Sequence, residues 1–183
     1  MDSLTGKLLV ASRSLADSHF ARTVVLLVHH DSEGAFGLVI NRRSSVQLAD
    51  IWERIGTGPC PLTLPVMVGG PVEGPLVVVH TDASQGEAEV APGIQFTARH
   101  DLVEMLLQQA RKPLKVVIAS SGWSAGQLER ELAEGSWGVA DATPDRVFGD
   151  DESLWQQATR HLADQHLVQS LGIKHVPARP WHN

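Results

Sequence analysis

The clearest catalytic signal in the chain is a serine in a glycine-rich turn. Residues 122–126 read Gly-Trp-Ser-Ala-Gly, which matches the G-x-S-x-G nucleophile elbow of α/β-hydrolases, and an apolar run precedes them as that strand–turn–helix elbow requires. In this interpretation Ser124 attacks an acyl carbon, and backbone amides at Ala125 and near Gly69 or Gly70 stabilise the oxyanion. The chain order Ser, Asp, His of such enzymes leaves Asp141, Asp145, Asp150 or Asp151 as the acid and His161, His166 or His175 as the base.

The same residues also predict an ordinary helix start. Ser124 precedes Gln127 by three residues, so Ser124 at the N-cap and Gln127 at N3 would form a capping box, with Trp123 and Leu128 as a hydrophobic staple. A serine N-cap stabilises a helix by about 1 kcal/mol relative to alanine, which explains the serine without chemistry. We prefer the helix start and keep a small serine hydrolase as the alternative.

Composition and charge exclude several classes of protein. The 183 residues are 43% apolar and 20% charged, which is typical of one globular domain. The net charge of -6 argues against a nucleic-acid surface, because the densest basic spots are only the pairs Arg42-Arg43 and Arg111-Lys112. Without a signal peptide or an apolar run long enough for a membrane span, the sequence predicts a soluble cytoplasmic protein.

Cysteine and histidine spacing predicts no metal site and no cofactor. Cys60 is the only cysteine, so a CxxC motif and an internal disulfide are excluded, and we interpret it as an incidental thiol. His29 and His30 should point to opposite faces of a strand, and His80 with Asp82 is only a fragment of a ligand set.

Hydrophobic periodicity predicts a single α+β domain over residues 1–172 with an irregular tail over 173–183. Residues 31–34 are a turn signal within a hairpin, residues 81–93 form a polar surface loop, and a break in the last helix is expected near Asp164. Helix N-caps are expected at Ser44, at Thr97 and at Asp150 or Asp151. Strands are expected over residues 7–11, 23–29, 35–41, 62–68, 75–80, 94–96, 115–119, 137–140 and 147–148.

Several blocks in order resemble the YqgE/AlgH family of bacterial proteins, over roughly residues 6–157. They are residues 6–11 with Asp17 and Phe20, His30 with residues 34–42, residues 69–72 with His80, and residues 122–123 and 126–129 with Glu131 and Trp137. The resemblance implies an α+β domain with a bent, partly barrel-like, mixed or antiparallel sheet flanked by helices. It implies no established reaction, cofactor or catalytic residue. Glycine commonly fills the place of Ser124 in the family pattern, which suits a cap and not a nucleophile.

The leading hypothesis is therefore a non-enzymatic binding or regulatory protein that acts through a protein or small-molecule partner. The family label is transcriptional regulator, but the acidic charge and the missing helix-turn-helix signal give direct DNA binding no support. Seven polar residues at strand ends or in glycine-rich turns are the candidate site, with caps, turns and buried polar pairs as their structural alternative. They are Asp17, His30, Asn41, Arg42, His80, Gln127 and Glu129.

Overall fold

A computed structural model describes residues 2–58, 62–110 and 113–170. Cys60, the Arg111-Lys112 pair, His175 and the predicted tail over residues 173–183 lie outside the described residues. None of the helices within the described ranges combines the length and the hydrophobicity needed to cross a membrane.

The described residues form eleven strands and five helices. In chain order these are β1 (Lys7–Ala11), β2 (Val24–Asp31), β3 (Gly34–Val39), β4 (Arg43–Gln47), α1 (Leu48–Ile55), β5 (Pro65–Val68), β6 (Val77–His80), β7 (Ala88–Ala91), β8 (Ile94–Thr97), α2 (His100–Gln109), β9 (Leu114–Ile118), β10 (Ser121–Ser124), α3 (Gln127–Ala133), β11 (Trp137–Asp141), α4 (Pro144–Val147) and α5 (Asp151–Ser170).

The strands divide into two sheets. The first sheet has the order β10-β3-β2-β1-β11, and all its neighbours are antiparallel. The second has the order β4-β5-β9-β6-β8-β7, in which β5 runs parallel to β9 and the other neighbours are antiparallel. The predicted α+β class is confirmed, and so is the predicted hairpin of β2 and β3.

Alternation along the strands builds three hydrophobic clusters. Leu8 and Leu26 join residues of the second sheet, such as Val79, in the core between the sheets. Leu9 on the opposite face of β1 belongs to a second cluster that includes Leu128 of α3. This division follows because successive side chains of a strand point to opposite faces. Helices α1 and α2 cover the outer face of the second sheet.

Backbone contacts join the two sheets at residues 69–70. The amide of Val39 in β3 donates to the carbonyl of Gly69 at 2.8 Å, and the Ser121 hydroxyl donates to the same carbonyl at 2.9 Å. A Cβ on Gly69 would collide with the carbonyl of Ala119, and one on Gly70 with Ser121. The paired glycines are therefore explained by a close backbone approach.

Two predicted helix caps are wrong, since both residues lie in strands. Ser44 belongs to β4, and α1 begins after Gln47, whose amide donates to Asp50 at 3.2 Å. Thr97 belongs to β8 and is buried, so the N-cap of α2 is Arg99. The prediction of an Asp cap for α5 is confirmed at Asp150, which accepts the Ser153 amide at 3.1 Å.

Three further expectations differ from the structure. The predicted loop over residues 81–93 contains β7, an edge strand whose exposed Glu89 pairs with Gln95 of β8. Residues 147–148 do not form a strand, because Pro144 opens the short helix α4. Helix α5 is continuous past the predicted break at Asp164, and Leu167 is simply exposed. Intrahelical hydrogen bonds can thus extend the helix beyond its buried face.

Candidate functional site

His30 and Glu129, two of the predicted site residues, meet at one end of the first sheet. His30 is carried by β2 and Glu129 by the first turn of α3, and His30 Nε2 lies 2.9 Å from Glu129 Oε1. The amide of Leu4 donates to His30 Nδ1 at 2.9 Å. Because Nδ1 accepts that bond, the ring proton is on Nε2, and His30 donates it to Glu129. Both ring nitrogens are therefore used within the protein.

The N-terminal segment closes over this histidine. Ser3 Oγ donates to the carbonyl of His30 at 2.8 Å, and the amide of His30 donates to Thr5 Oγ1 at 2.9 Å. The His30 side chain is 4% exposed and that of Glu129 is 29% exposed. Ser3, His30, Asp31, Ser32 and Glu129 line a cavity of about 270 Å³, which we call the histidine cleft. His29 is exposed and His30 is buried, in agreement with the prediction that the two point to opposite faces of the strand.

Glu129 gives the histidine cleft a negative charge at neutral pH. Its own backbone amide and the hydrogen bond from His30 hold the pKa of this carboxyl below the usual value. Both contacts favour the ionised form of a carboxyl group. The carboxylate can accept more hydrogen bonds than the one from His30, so the cleft suits an ammonium, a guanidinium or an N–H group.

Ser124 ends β10 and does not cap α3. The N-cap of α3 is Gly126, with φ of 70°, so the predicted cap at Ser124 and N3 position of Gln127 are wrong. The Ser124 amide and hydroxyl instead donate to Gln127 Oε1 at 3.1 and 3.2 Å. Glycine permits the left-handed turn that shifts the helix start by two residues. In the described part of the chain no histidine is hydrogen-bonded to Ser124.

Gln127 belongs to a network centred on Glu131, which sequence reasoning missed. Gln127 Nε2 donates to Glu131 Oε1 at 2.9 Å. The indole N–H groups of Trp123 and Trp137 donate to Glu131 Oε2 at 2.9 and 2.8 Å. Gln127 and Glu131 lie four positions apart on one face of α3. That spacing is the sequence signal that could have indicated their pairing. The network fixes α3, and with it Glu129, on the first sheet.

Asn41 and Arg42 support the loop over residues 17–23. The Arg42 guanidinium donates to three loop carbonyls at 2.6–3.1 Å, those of Ser18, His19 and Ala21. Asn41 accepts the amide of Val24 at 2.8 Å and donates to the carbonyl of Arg22 at 3.1 Å. The polar groups of both side chains are therefore used to fix this loop.

Asp17 and Phe20 complete the loop. Asp17 Oδ1 accepts the amide of His19 at 2.7 Å in a local turn. The Phe20 ring lies 6.0 Å from the ring of Trp123 and 5.5 Å from that of Trp137, measured between centroids. The loop thus packs on the two indoles that bind Glu131, which connects it through aromatic contacts to α3.

His80 lies apart from the other candidates, in the second sheet. It is 1% exposed, its Nδ1 accepts the amide of Asp82 at 3.2 Å, and its Nε2 donates to Thr97 Oγ1 at 2.9 Å. Burial lowers the pKa of this imidazole from its ordinary value, because burial disfavours the charged form. Within the described ranges no hydrogen bond joins His80, the loop residues and the His30–Glu129 pair, so the seven candidates do not form one cluster.

A buried ion pair was also missed by sequence reasoning. Lys115 in the apolar strand β9 pairs with Asp151 at the start of α5, and their side chains are 7% and 9% exposed. Arg43 Nε contacts the same carboxylate at 3.1 Å. The only available signal was a lysine within an apolar run, and its partner lies 36 positions further along the chain. In the ranges that the structure describes, no three His, Cys, Asp or Glu residues could together hold a metal ion.

The two-sheet α+β fold and the ordered blocks of glycine, histidine and tryptophan residues in the sequence are shared with a family of bacterial proteins. Residues 8–166 match the AlgH-like family. The chain therefore belongs to the AlgH-like family, also written YqgE/AlgH, as its sequence blocks indicated.

Relatives match over nearly their full lengths. A UPF0301 protein of Ruegeria pomeroyi is 34% identical over 184 residues, covering 94% of this chain and 99% of the relative. One from Gluconobacter oxydans is 38% identical over 165 residues, covering 85% and 88%. The solution structure of the AlgH protein from Pseudomonas aeruginosa is similar with a TM-score of 0.74 and 28% identity, covering 96% of each chain.

Proposed function

We propose that this chain is a non-enzymatic binding protein of the cytoplasm, which engages a protein or small-molecule partner through the histidine cleft. The observation that supports this is the hydrogen bonding of its candidate catalytic groups. Both nitrogens of His30 and both of His80 have partners within the protein, and the Ser124 hydroxyl donates to Gln127.

Catalysis would require those bonds to be broken. A general base needs a free nitrogen within hydrogen-bond reach of the proton that it removes. A serine nucleophile needs such a base beside it, and the group beside Ser124 is the carboxamide of Gln127. Binding requires no such rearrangement, because Glu129 is 29% exposed and presents its carboxylate to the histidine cleft. Asp31 adds negative charge beside it, although its oxygens already contact His29 and the Glu33 amide.

Regulation is the second part of the proposal, and it rests on the family resemblance. Direct DNA binding is not included, since a net charge of -6 disfavours contact with the extended polyanionic backbone of DNA. A partner that presents a cationic or N–H group fits the histidine cleft better, because its charge complements Glu129 and Asp31.

Thermal unfolding with cationic probes tests the binding proposal. We expect arginine, spermidine or a short lysine-containing peptide to raise the Tm of the wild type, because a ligand that binds only the folded state stabilises it. Glu129→Gln should abolish the shift, and Glu134→Gln, on the exposed end of α3, should retain it. A shift that persists in Glu129→Gln, or the absence of any shift, would contradict binding at the histidine cleft.

Activity-based labelling tests the serine-hydrolase alternative, which rests on the G-x-S-x-G motif. We expect a fluorophosphonate probe to leave the folded wild type and Ser124→Ala equally unlabelled. Labelling of the wild type that Ser124→Ala removes would show that Ser124 is a nucleophile and would overturn the non-enzymatic proposal.

A further inference from the structure

A second cleft lies beyond the other end of β2. Arg13 follows β1, Arg22 precedes β2, and Arg160 lies on α5; together with Trp155 and Thr159 they line a cavity of about 570 Å³. We call it the arginine cleft. A cavity of this size falls in the range of small-molecule sites in proteins.

The three guanidinium groups of the arginine cleft have no acceptor among the described residues. Of the other arginines that the structure describes, Arg42 donates to loop carbonyls at 2.6–3.1 Å and Arg99 contacts Asp101 at 2.5 Å. Arg54 and Arg130 have no side-chain acceptor among the described residues, but neither lines the arginine cleft. The chain as a whole is acidic, with a net charge of -6. A general excess of basic residues therefore does not explain why three arginines without acceptors line one cavity.

Arg22 is held in place by its surroundings. It has φ of 60°, a left-handed conformation that non-glycine residues rarely adopt and that persists where contacts impose it. Asn41 supplies one contact by donating to the carbonyl of Arg22 at 3.1 Å. The guanidinium lies 5.9 Å from the centroid of the Trp155 ring, and the Trp155 indole donates to the carbonyl of Ala11 at 2.7 Å. Arg22 is thus held at the wall of the cleft before any ligand binds, whereas Arg13 and Arg160 are exposed.

Thr159 supplies an independent indication of a ligand. Its hydroxyl is the one buried side-chain polar atom without a hydrogen-bond partner in the described ranges, and Thr159 lines the arginine cleft. Buried hydroxyl groups almost always have a partner, because leaving one unpaired costs free energy. The hydroxyl is shielded from solvent in the conformation shown, so an acceptor in the cleft would satisfy it after a change of χ1 to the second rotamer that threonine adopts in helices.

We propose that the arginine cleft binds a small molecule that carries phosphate groups. A single carboxylate can be saturated by one bidentate guanidinium, whereas a phosphate presents three strong acceptor oxygens. Three arginines therefore match phosphate better than a single carboxylate. The volume of about 570 Å³ leaves room for a second phosphate or an organic group. This site is distinct from the histidine cleft and goes beyond the function proposed above.

Calorimetric titration of the full chain tests this inference with pyrophosphate, inorganic phosphate and citrate as probes. We expect the wild type to bind pyrophosphate more tightly than inorganic phosphate and citrate to bind weakly, since carboxylates offer fewer acceptors per group. Arg22→Gln and Arg160→Gln should each weaken pyrophosphate binding by about tenfold or more, as the loss of a charge-assisted hydrogen bond predicts. Arg54→Gln is the matched control, because Arg54 is exposed on α1 and also lacks an acceptor in the described residues.

Thr159→Val distinguishes a ligand group from a structural one. It removes the unpartnered hydroxyl, so we expect the Tm without ligand to stay or rise while pyrophosphate binds more weakly. An unchanged affinity in both arginine variants, an equal loss in Arg54→Gln, equal binding of citrate, or no binding to the wild type would each overturn the inference. Glu129→Gln should leave pyrophosphate binding intact, so failure here leaves the histidine-cleft proposal standing.

Discussion

The two ends of β2 carry clefts of opposite charge. The strand has eight residues, so the clefts are separated by roughly 25 Å at ~3.3 Å per residue. In the histidine cleft, the imidazole and its neighbouring backbone groups have partners within the protein. In the arginine cleft, three guanidinium groups and a threonine hydroxyl have none among the described residues.

The paired groups around His30 stabilise the fold, whereas the unpaired groups of the arginine cleft are available to a ligand. His30 connects the N-terminal segment, β2 and α3, so its network is complete without a partner and a ligand can add only to the exposed side of Glu129. The arginine cleft is completed only by an anion. Removing members of the first kind should destabilise the protein, whereas removing members of the second kind should change binding alone.

Asp151→Ala should have the largest effect on stability and would show what anchors one wall of the arginine cleft. The substitution leaves Lys115 buried without its partner at the start of α5. Breaking a buried pair in this way costs about 3–5 kcal/mol of unfolding free energy, measurable by urea denaturation. Glu152→Ala is the control, since Glu152 is 81% exposed and 3.8 Å from Arg43. Equal effects of the two variants would contradict an anchoring role.

Glu131→Ala should have the next largest effect and tests the network behind the histidine cleft. It leaves the indole N–H groups of Trp123 and Trp137 and the amide of Gln127 without their acceptor. Unpaired buried donors cost about 1–3 kcal/mol each, and partial access of water should limit the total to about 2–4 kcal/mol. The urea midpoint of Glu134→Ala should match that of the wild type. A Glu131→Ala midpoint equally close to the wild type would refute the network.

The buried His80 of the second sheet should make the free energy of unfolding depend on pH. Burial holds its folded pKa below the ordinary value of 6.5, so the unfolded chain binds the proton more readily. The contribution of neutral His80 to the free energy of unfolding is therefore fully present above pH 6.5. It is lost as the pH falls towards the lower folded pKa. We expect the urea midpoint to fall between about pH 7 and pH 5, and His80→Gln to flatten that slope. His29→Gln, at an exposed site, should keep it; a slope unchanged in His80→Gln would contradict the assignment.

Arg22→Gln and Arg160→Gln should have the smallest effects on stability. Their guanidinium groups have no acceptor among the described residues, so the free energy of unfolding should stay within about 0.5 kcal/mol of the wild type without ligand. Urea denaturation in chloride buffer measures this. A loss comparable to that of Glu131→Ala would mean that the arginines hold the fold, and the contrast between the clefts would disappear.

Local patterns predicted much of this fold. The apolar runs predicted β1, the β2–β3 hairpin and most of the second sheet, because strand periodicity is a local property. Asp150 or Asp151 was predicted as the cap of α5 from position alone, and Asp150 is the residue that accepts the Ser153 amide. Strand β7 was not predicted, since its polar residues are stabilised by pairing with β8, and the cap at Ser124 was displaced by the left-handed Gly126.

The sites depend on contacts between distant parts of the chain. His30 and Glu129 were both candidates, but 99 positions separate them, and no local pattern indicated that they pair. The arginine cleft brings together two loops and the last helix, so composition showed only scattered basic residues. The sequence shows Lys115 only as a charged residue within an apolar strand, and its partner Asp151 is apparent only from the folded structure.

A 1H–15N spectrum of the full chain, titrated with pyrophosphate, tests the separation of the two clefts most directly. The Trp155 indole lines the arginine cleft, whereas the indoles of Trp123 and Trp137 donate to Glu131 in the network behind the histidine cleft. We expect the Trp155 Nε1–H signal to move with pyrophosphate and those of Trp123 and Trp137 to stay fixed. Movement of the Trp123 and Trp137 signals with a stationary Trp155 signal would contradict the account.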